Sequence, residues 1–333
     1  SVKTLFLLSV LLISVCYLQA RVIFVKGGVA GDGSSWASAF GDLQSALRSA
    51  RAGDQIWVAA GTYHPTASND RNAMFAIPNG VQLYGGFAGY EASIDARDLA
   101  NNPAVLSGEI GDPSSKEDNS YTVVYTKHVS NQTILDGFVI QGGYANGTGA
   151  KGDIRRCGGG WFNDGSNGTS NPTIQNCTFI HNKARDGAAL YNYAANGTVN
   201  PVISNCRFIE NSADLDGGAI FNDGSAGLCS PVIDACLFEG NVATYGAGIM
   251  NQGMGGETRP EISNCQFFSN TSYIRGPSVY NNRQEAGICT PVITGCIFEE
   301  NRSSVGRDVS STINNSSTTA GKSGSSANLK AGY

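Results

Sequence analysis

The chain has 333 residues, 22 Lys and Arg against 27 Asp and Glu, and a formal net charge of −5. That balance argues against a nucleic-acid binder, which needs a basic footprint. Charged residues make up only 15% and glycine is abundant at 43, so the composition also argues against a helical bundle.

Lys3 precedes an apolar run from Leu5 to Val15, and Leu18-Gln19-Ala20 offers a small residue for cleavage. This is the layout of a secretory signal peptide over residues 1–20, too short to span a bilayer. Cys16 sits in a partial lipoprotein box, but Val15 stands where a small residue is wanted. No later apolar run approaches the length of a membrane span. The expected location is therefore secreted, extracellular or at the cell surface.

Val22 to Val25 reads as a strand, and Asp42 to Gly53 as a helix with Leu43, Ala46, Leu47 and Ala50 on its apolar stripe. Asp42 is its expected N-cap and Gly53 its C′ residue. Ile56 to Tyr63 follows as a first full rung, then weaker strand-like runs at Phe75 to Ile77, Val81 to Leu83 and Ile134 to Ile140.

From residue 157 to 310 a repeat of about 30 residues is unmistakable. Pro172-Thr-Ile-Gln-Asn-Cys177-Thr-Phe179-Ile-His-Asn182 recurs around Cys206, Cys236, Cys265 and Cys296, at steps of 29, 30, 29 and 31 residues. A second element interleaves with it: Gly160-Trp-Phe-Asn163, Ala189-Leu-Tyr-Asn192, Ala219-Ile-Phe-Asn222, Gly248-Ile-Met-Asn251 and Ser278-Val-Tyr-Asn281. Cys and Phe two apart share one face of a strand, and a single unit cannot bury that face. Stacked at the strand spacing of about 4.8 Å, the units bury it continuously. Two structural ladders are thereby predicted, Cys177, Cys206, Cys236, Cys265 and Cys296 beside Phe179, Phe208, Phe238, Phe267 and Phe298. The terminal Asn of each motif is placed at a corner, and the glycines at 158–160, 187, 217–218, 246 and 276 at another. The predicted fold is all-β: a right-handed parallel β-helix over residues 21–310 with an N-terminal capping helix. Residues 311–333 read as a disordered tail rich in Ser, Asn and Gly.

Gly31-Asp-Gly-Ser-Ser-Trp36, Gly53-Asp-Gln-Ile-Trp-Val-Ala-Ala-Gly-Thr-Tyr63 and Leu83-Tyr-Gly-Gly-Phe-Ala-Gly89 resemble the opening of secreted pectin-lyase-like β-helix proteins. Phe208-Ile-Glu-Asn211 and Gly217-Gly-Ala-Ile220 are similar to repeats of polymorphic outer-membrane proteins, a group of bacterial adhesins. The resemblance covers roughly residues 21–310 and implies the fold, while its members range from lyases and hydrolases to adhesins. No C-terminal membrane-barrel pattern accompanies it. Nor does the chain contain the Asn-Thr-Asp, Gly-Asp-Asp and Gly-His-Gly series of pectin hydrolases, or the Asp-Pro-His-Asp of alginate epimerases.

The ladder cysteines lie one per rung without a CxxC pair, so they read as buried thiols and no metal site is assigned to them. Cys157, Cys229 and Cys289 stand beside turns; Cys229 and Cys289 fall two rungs apart, beyond disulfide reach. His64, His128 and His181 share no motif. Aligned on the glycines, Asp186 and Asp216 stack in adjacent coils, with Arg156 and Arg185 one position earlier. Asp214, Tyr245, Tyr273 and Arg275 extend a polar strip along the same side. Such a strip suits a sugar chain, Ca²⁺ or a general acid/base pair, against the plainer reading of a solvated, self-neutralising face. Nine Asn-x-Ser/Thr sequons (131, 146, 167, 176, 196, 270, 301, 314 and 315) accompany the Asn-rich turns. The expected function is a non-catalytic secreted or cell-surface protein of adhesion, matrix or carbohydrate association, with polysaccharides or surface glycans as partners. The alternative is a polysaccharide lyase or glycoside hydrolase working at the strip. No cofactor is expected beyond the Ca²⁺ that the strip suits.

Overall fold

A computed structural model describes residues 20–303, apart from residue 285. The signal peptide and the Ser/Asn/Gly tail read from the sequence lie outside the described residues, except for Ala20. The chain winds as a right-handed parallel β-solenoid whose longest sheet contributes one strand from each of nine coils. A full coil carries five short strands, as in Val232–Asp234, Leu237–Glu239, Val242–Tyr245, Ile249–Gln252 and Glu257–Thr258. Corresponding strands of successive coils pair in parallel, giving five faces of nine, eight, six, seven and four strands in that order.

Alternation along each strand sends one side chain per rung into the lumen, and identical register turns these into columns. On the first face Ile174, Ile203, Ile233, Ile262 and Ile293 are aligned. On the second, Phe179, Phe208, Phe238, Phe267 and Phe298 stack nearly flat, with centroids 5.1, 4.9, 4.6 and 5.1 Å apart. The Cys column fills the corner between them. Each thiol donates to a carbonyl two residues back, as in Cys206 Sγ to Ser204 O at 3.3 Å. Burial pushes the Cys206 and Cys229 thiols far up, so they stay protonated and inert. All eight described cysteines are free. At the last rung the columns are less covered, with Cys296 half-buried and Phe298 36% exposed.

Two asparagine ladders satisfy the polar interior. Asn182, Asn211, Asn241, Asn270 and Asn301 pass Nδ2–H···Oδ1 bonds along the stack at 2.9–3.1 Å. Each amide also donates to a Phe-column backbone or its neighbour, as from Asn211 to Phe179 O at 2.9 Å. On the fourth face Asn163, Asn192, Asn222, Asn251 and Asn281 do the same at 2.8–3.0 Å. The first ladder does not form the corner itself. The residue before each Asn turns the chain through the left-handed region (His181, Glu210, Gly240, Ser269, Glu300), which aims the Asn inward. Asn270 and Asn301 are consequently buried, which removes both as glycan acceptors. Glycines 158, 187, 217, 246 and 276 make the third corner as expected, with φ between 61 and 70°.

The N-terminal helix is shorter than its sequence pattern predicted: it runs Leu43–Ser49. Asp42 caps it, accepting from Ser45 N at 2.8 Å. Ala50 is already extended, and Gly53 at φ +92° turns the chain into Gln55–Ala59. Leu43, Ala46 and Leu47 join Ile23, Val25 and Ile56 in the core, so the helix closes the apolar lumen at the first coil.

Candidate functional site

The strip read from the sequence lies where the third face passes through the Gly corner into the fourth. Register places Asp186 opposite Asp216, Asp216 opposite Tyr245 and Tyr245 opposite Arg275, one residue per coil. Arg185 follows Arg156 in the same way, its N–H donating to Arg156 O at 3.0 Å. One side of the strip is therefore a true column, although its two halves differ in character.

The N-terminal half is closed. Residues 146–157 leave the coil as a strap, held by Gly147 N to Arg155 O at 2.8 Å and Arg156 N to Asp153 O at 2.9 Å. Its Gly152, at φ +85°, lies flat on Tyr193, where a Cβ would meet the ring at 2.7 Å. From this strap Arg156 Nε donates to Asp186 Oδ2 at 3.0 Å. Lys151 Nζ donates to Gln252 Oε1 at 2.9 Å and contacts Asp216 Oδ2 at 3.5 Å. Its ammonium also stands 4.4 Å from the Phe221 ring centre. Beneath the strap Cys157, Phe162, Tyr191, Phe221 and Met250 form a second, external apolar cluster. Tyr191 Oη donates to Asp223 Oδ2 at 2.5 Å within it.

Asp186 is 0% exposed, so the plain reading of a solvated carboxylate face does not hold at this position. Its Oδ1 has no hydrogen-bond partner. Burial raises the Asp186 carboxyl against the opposing pull of Lys151 and Arg156. Burial likewise raises Asp216, with Lys151 opposing and the Asp186 charge adding to the rise. Chemically this half can share protons; Arg185 is exposed on it, while the Asp186 carboxyl is buried under the strap.

The C-terminal half is open. Tyr273 is 55% exposed and Arg275 is exposed beside it. Tyr245 tilts against Tyr280 at 5.4 Å, both half-buried. Among the described residues Arg275 makes no ion pair. Asp214 is exposed and set off from the column, 3.7 Å from Lys183 Nζ, because the strand Ser212–Asp216 carries one extra residue at a bulge. Two shallow grooves of about 220 and 300 Å³ lie outside the second face, and neither includes a strip residue.

Sequence reasoning found the carboxylate column and missed Lys151, Gln252, Asp223 and Tyr191. Lys151 sits in a stretch with no counterpart in the other repeats, and register alone could not fold that stretch back over three coils. Asp223 had a readable signal, since Asn163-Asp164-Gly165 recurs as Asn222-Asp223-Gly224.

Among the described residues no helix is long and apolar enough to cross a membrane. No curated protein sequence matches the chain. Its fold is similar to that of pectate lyase Pel9A, seen in a crystal structure, with 12% identity over 83% of this chain and 77% of that one and a TM-score of 0.44. The profile of one family covers residues 25–274, and the chain belongs to that family, described as a protein of unknown function (DUF1565).

Proposed function

We propose that this is a non-catalytic, exported β-helix protein of the cell surface or extracellular matrix that associates with polysaccharide through Tyr245, Tyr273 and Arg275. The observation that carries this reading is the contrast between the two halves of the strip. The only stacked carboxylate pair on it, Asp186 and Asp216, is covered by Arg156 and Lys151, with Asp186 fully buried. A glycosidic oxygen needs direct access to an acid, and here the strap stands between. Exposed tyrosine and an arginine free of ion pairs among the described residues are, by contrast, suited to sugar faces and to carboxylates or sulfates on them. Export rests on the apolar run from Leu5 to Val15, and it predicts a mature chain beginning at or near Arg21.

The rival reading, a polysaccharide lyase or hydrolase, draws support from one feature: the stacked carboxyls of Asp186 and Asp216 are raised, as a general acid requires. It would need the strap to lift. The test is incubation with a panel of acidic and neutral polysaccharides, scoring retention and the appearance of reducing or unsaturated ends. Retention that is lost in the Tyr273→Ala/Arg275→Ala variant, with no new ends, is the expected result. New ends that vanish in Asp186→Asn/Asp216→Asn would overturn it in favour of the enzyme.

A further inference from the structure

Six buried side-chain polar atoms among the described residues have no hydrogen-bond partner, and four of them are oxygens of one loop: Glu109 Oε1, Asp118 Oδ1, Asn119 Oδ1 and Ser120 Oγ. This loop joins the strands Ala104–Ser107 and Val124–Lys127, in the part of the solenoid where the repeat is weakest. It folds back on itself as Asp112 N donates to Asp118 Oδ2 at 2.6 Å. Asn119 is 3% exposed and Ser120 0% exposed. The Asn119 amide is oriented by its Nδ2–H, which donates to Gly142 O at 2.7 Å, so its Oδ1 faces away from that carbonyl. Ser120 is fixed by its backbone, with N donating to Gly108 O at 2.8 Å and O accepting from Tyr144 N at 2.9 Å.

Three of the four orphaned atoms can only accept, and the fourth, the Ser120 hydroxyl, donates to none of them. A hydrogen-bond network needs donors as well as acceptors, whereas a cation needs only acceptors. Gly111, at φ +93°, lets two more oxygens approach. A Cβ there would stand 2.5 Å from Asp118 Oδ2 and 3.2 Å from Asn69 Oδ1.

We infer that the Glu109–Ser120 loop is a Ca²⁺ site, with Glu109, Asp118, Asn119 and Ser120 supplying side-chain oxygens and Asn69 within reach to complete the shell. Two carboxylates with amide and hydroxyl oxygens are the hard, mixed donor set that Ca²⁺ accepts in irregular geometry, and that Mg²⁺, with its strict octahedron, does not. Among the described residues no three His, Cys, Asp or Glu side chains converge, so a transition-metal cage is not on offer. With only two charged ligands the expected dissociation constant is about 10⁻⁴ to 10⁻³ M, in the range of extracellular modules. The site is distinct from the strip and does not depend on how the strip is read.

The test uses the full chain, stripped with EDTA and titrated with CaCl₂ by calorimetry and with Tb³⁺ by luminescence. One Ca²⁺ per chain is expected, undisturbed by equimolar Mg²⁺, weakened about a hundredfold or more in Glu109→Gln/Asp118→Asn and unchanged in Asp186→Asn/Asp216→Asn. Absence of binding by the parent chain, equal affinity for Mg²⁺, or undiminished binding by the loop variant would each overturn the assignment. If circular dichroism shows that the double variant is unfolded, Asp118→Asn alone decides, with a loss of about tenfold required.

Discussion

Replacing Phe238 by Ala tests the central claim of the fold, that one aromatic column is shared by all the repeats. Phe238 is 0% exposed and lies between Phe208 and Phe267, at 4.9 and 4.6 Å with nearly parallel rings. Losing a fully buried phenyl forfeits about 1.5–3 kcal/mol of transfer free energy. Two aromatic contacts vanish with it, each worth about 0.5–1.5 kcal/mol beyond area. The sum, about 2.5–6 kcal/mol, brackets the usual cost of about 3–5 kcal/mol for Phe→Ala in a core that cannot collapse. Collapse is blocked here because the strand spacing is fixed by hydrogen bonds on both sides of the rung. Stability is best read by native-state hydrogen exchange in the flanking strands Arg207–Ile209 and Gln266–Phe268, since a solenoid need not unfold in one step. Phe298→Ala is the internal control: that ring is 36% exposed and, among the described residues, stacks on Phe267 alone, so its loss is expected to be about half as large or less. A loss below about 1 kcal/mol at Phe238, or equal losses at both sites, would refute the column as the source of stability.

Three further outcomes follow from the same geometry. Cys206, Cys236 and Cys265 are expected to resist thiol reagents in native buffer, with half-buried Cys296 labelled before them; rapid modification of the inner three would contradict their 0–2% exposure. Gly217→Ala should cost about 2–4 kcal/mol, because a Cβ meets Ile220 O and Phe221 Cβ at 2.8 Å in a left-handed corner. Gly240→Ala, whose nearest neighbour is a flexible Glu210 Cγ at 3.2 Å, should cost about 1 kcal/mol, and equal urea midpoints for the two would refute the distinction. The Asp186 and Asp216 carboxyls are raised above 3.8 in the folded chain, so that chain holds protons the unfolded chain releases. Their contribution is fully present below that value and is lost as pH rises through the folded-state values. Asp186→Asn/Asp216→Asn should therefore flatten the decline of stability above pH 3.8, and an unchanged pH profile would show that neither carboxyl is raised.

The repeat made the scaffold legible because every rung restates the same physical demands. Cys and Phe two apart, an Asn that must find another Asn, and a glycine that must turn left each recur in phase, so five copies testify to one structure. Where a residue answers to only one neighbour the reading was weaker. Asp42 was recognisable as a cap, but the end of its helix was not, since Ala50 continues the apolar stripe while the chain there is already extended on its return to the sheet. Corners were misplaced by one residue for a related reason. His181, Glu210 and Ser269 take the left-handed conformation without being glycine, held there by ladder bonds on both sides.

The buried polar clusters arise where repetition fails, whereas Tyr245 and Arg275 stand on the regular coils. A perfect repeat presents the same residue on every rung and so builds ladders, each side chain being the partner of its own copies. A site needs different groups converging on one point, which requires either an insertion that folds back or a coil that breaks register. Both devices occur here in the N-terminal half. Residues 146–157 bring Lys151 and Arg156 over carboxylates belonging to other coils, and residues 109–120 gather oxygens with no repeat counterpart. The two insertions even touch one residue in common with the earlier loop: Arg71 donates to Asn119 O at 2.7 Å and to Asn146 Oδ1 at 2.7 Å. Arg71 thus ties the oxygen-rich loop to the root of the strap. The irregular segments bring unlike groups together, while the regular coils hold Tyr245 and Arg275 in line on the open half of the strip.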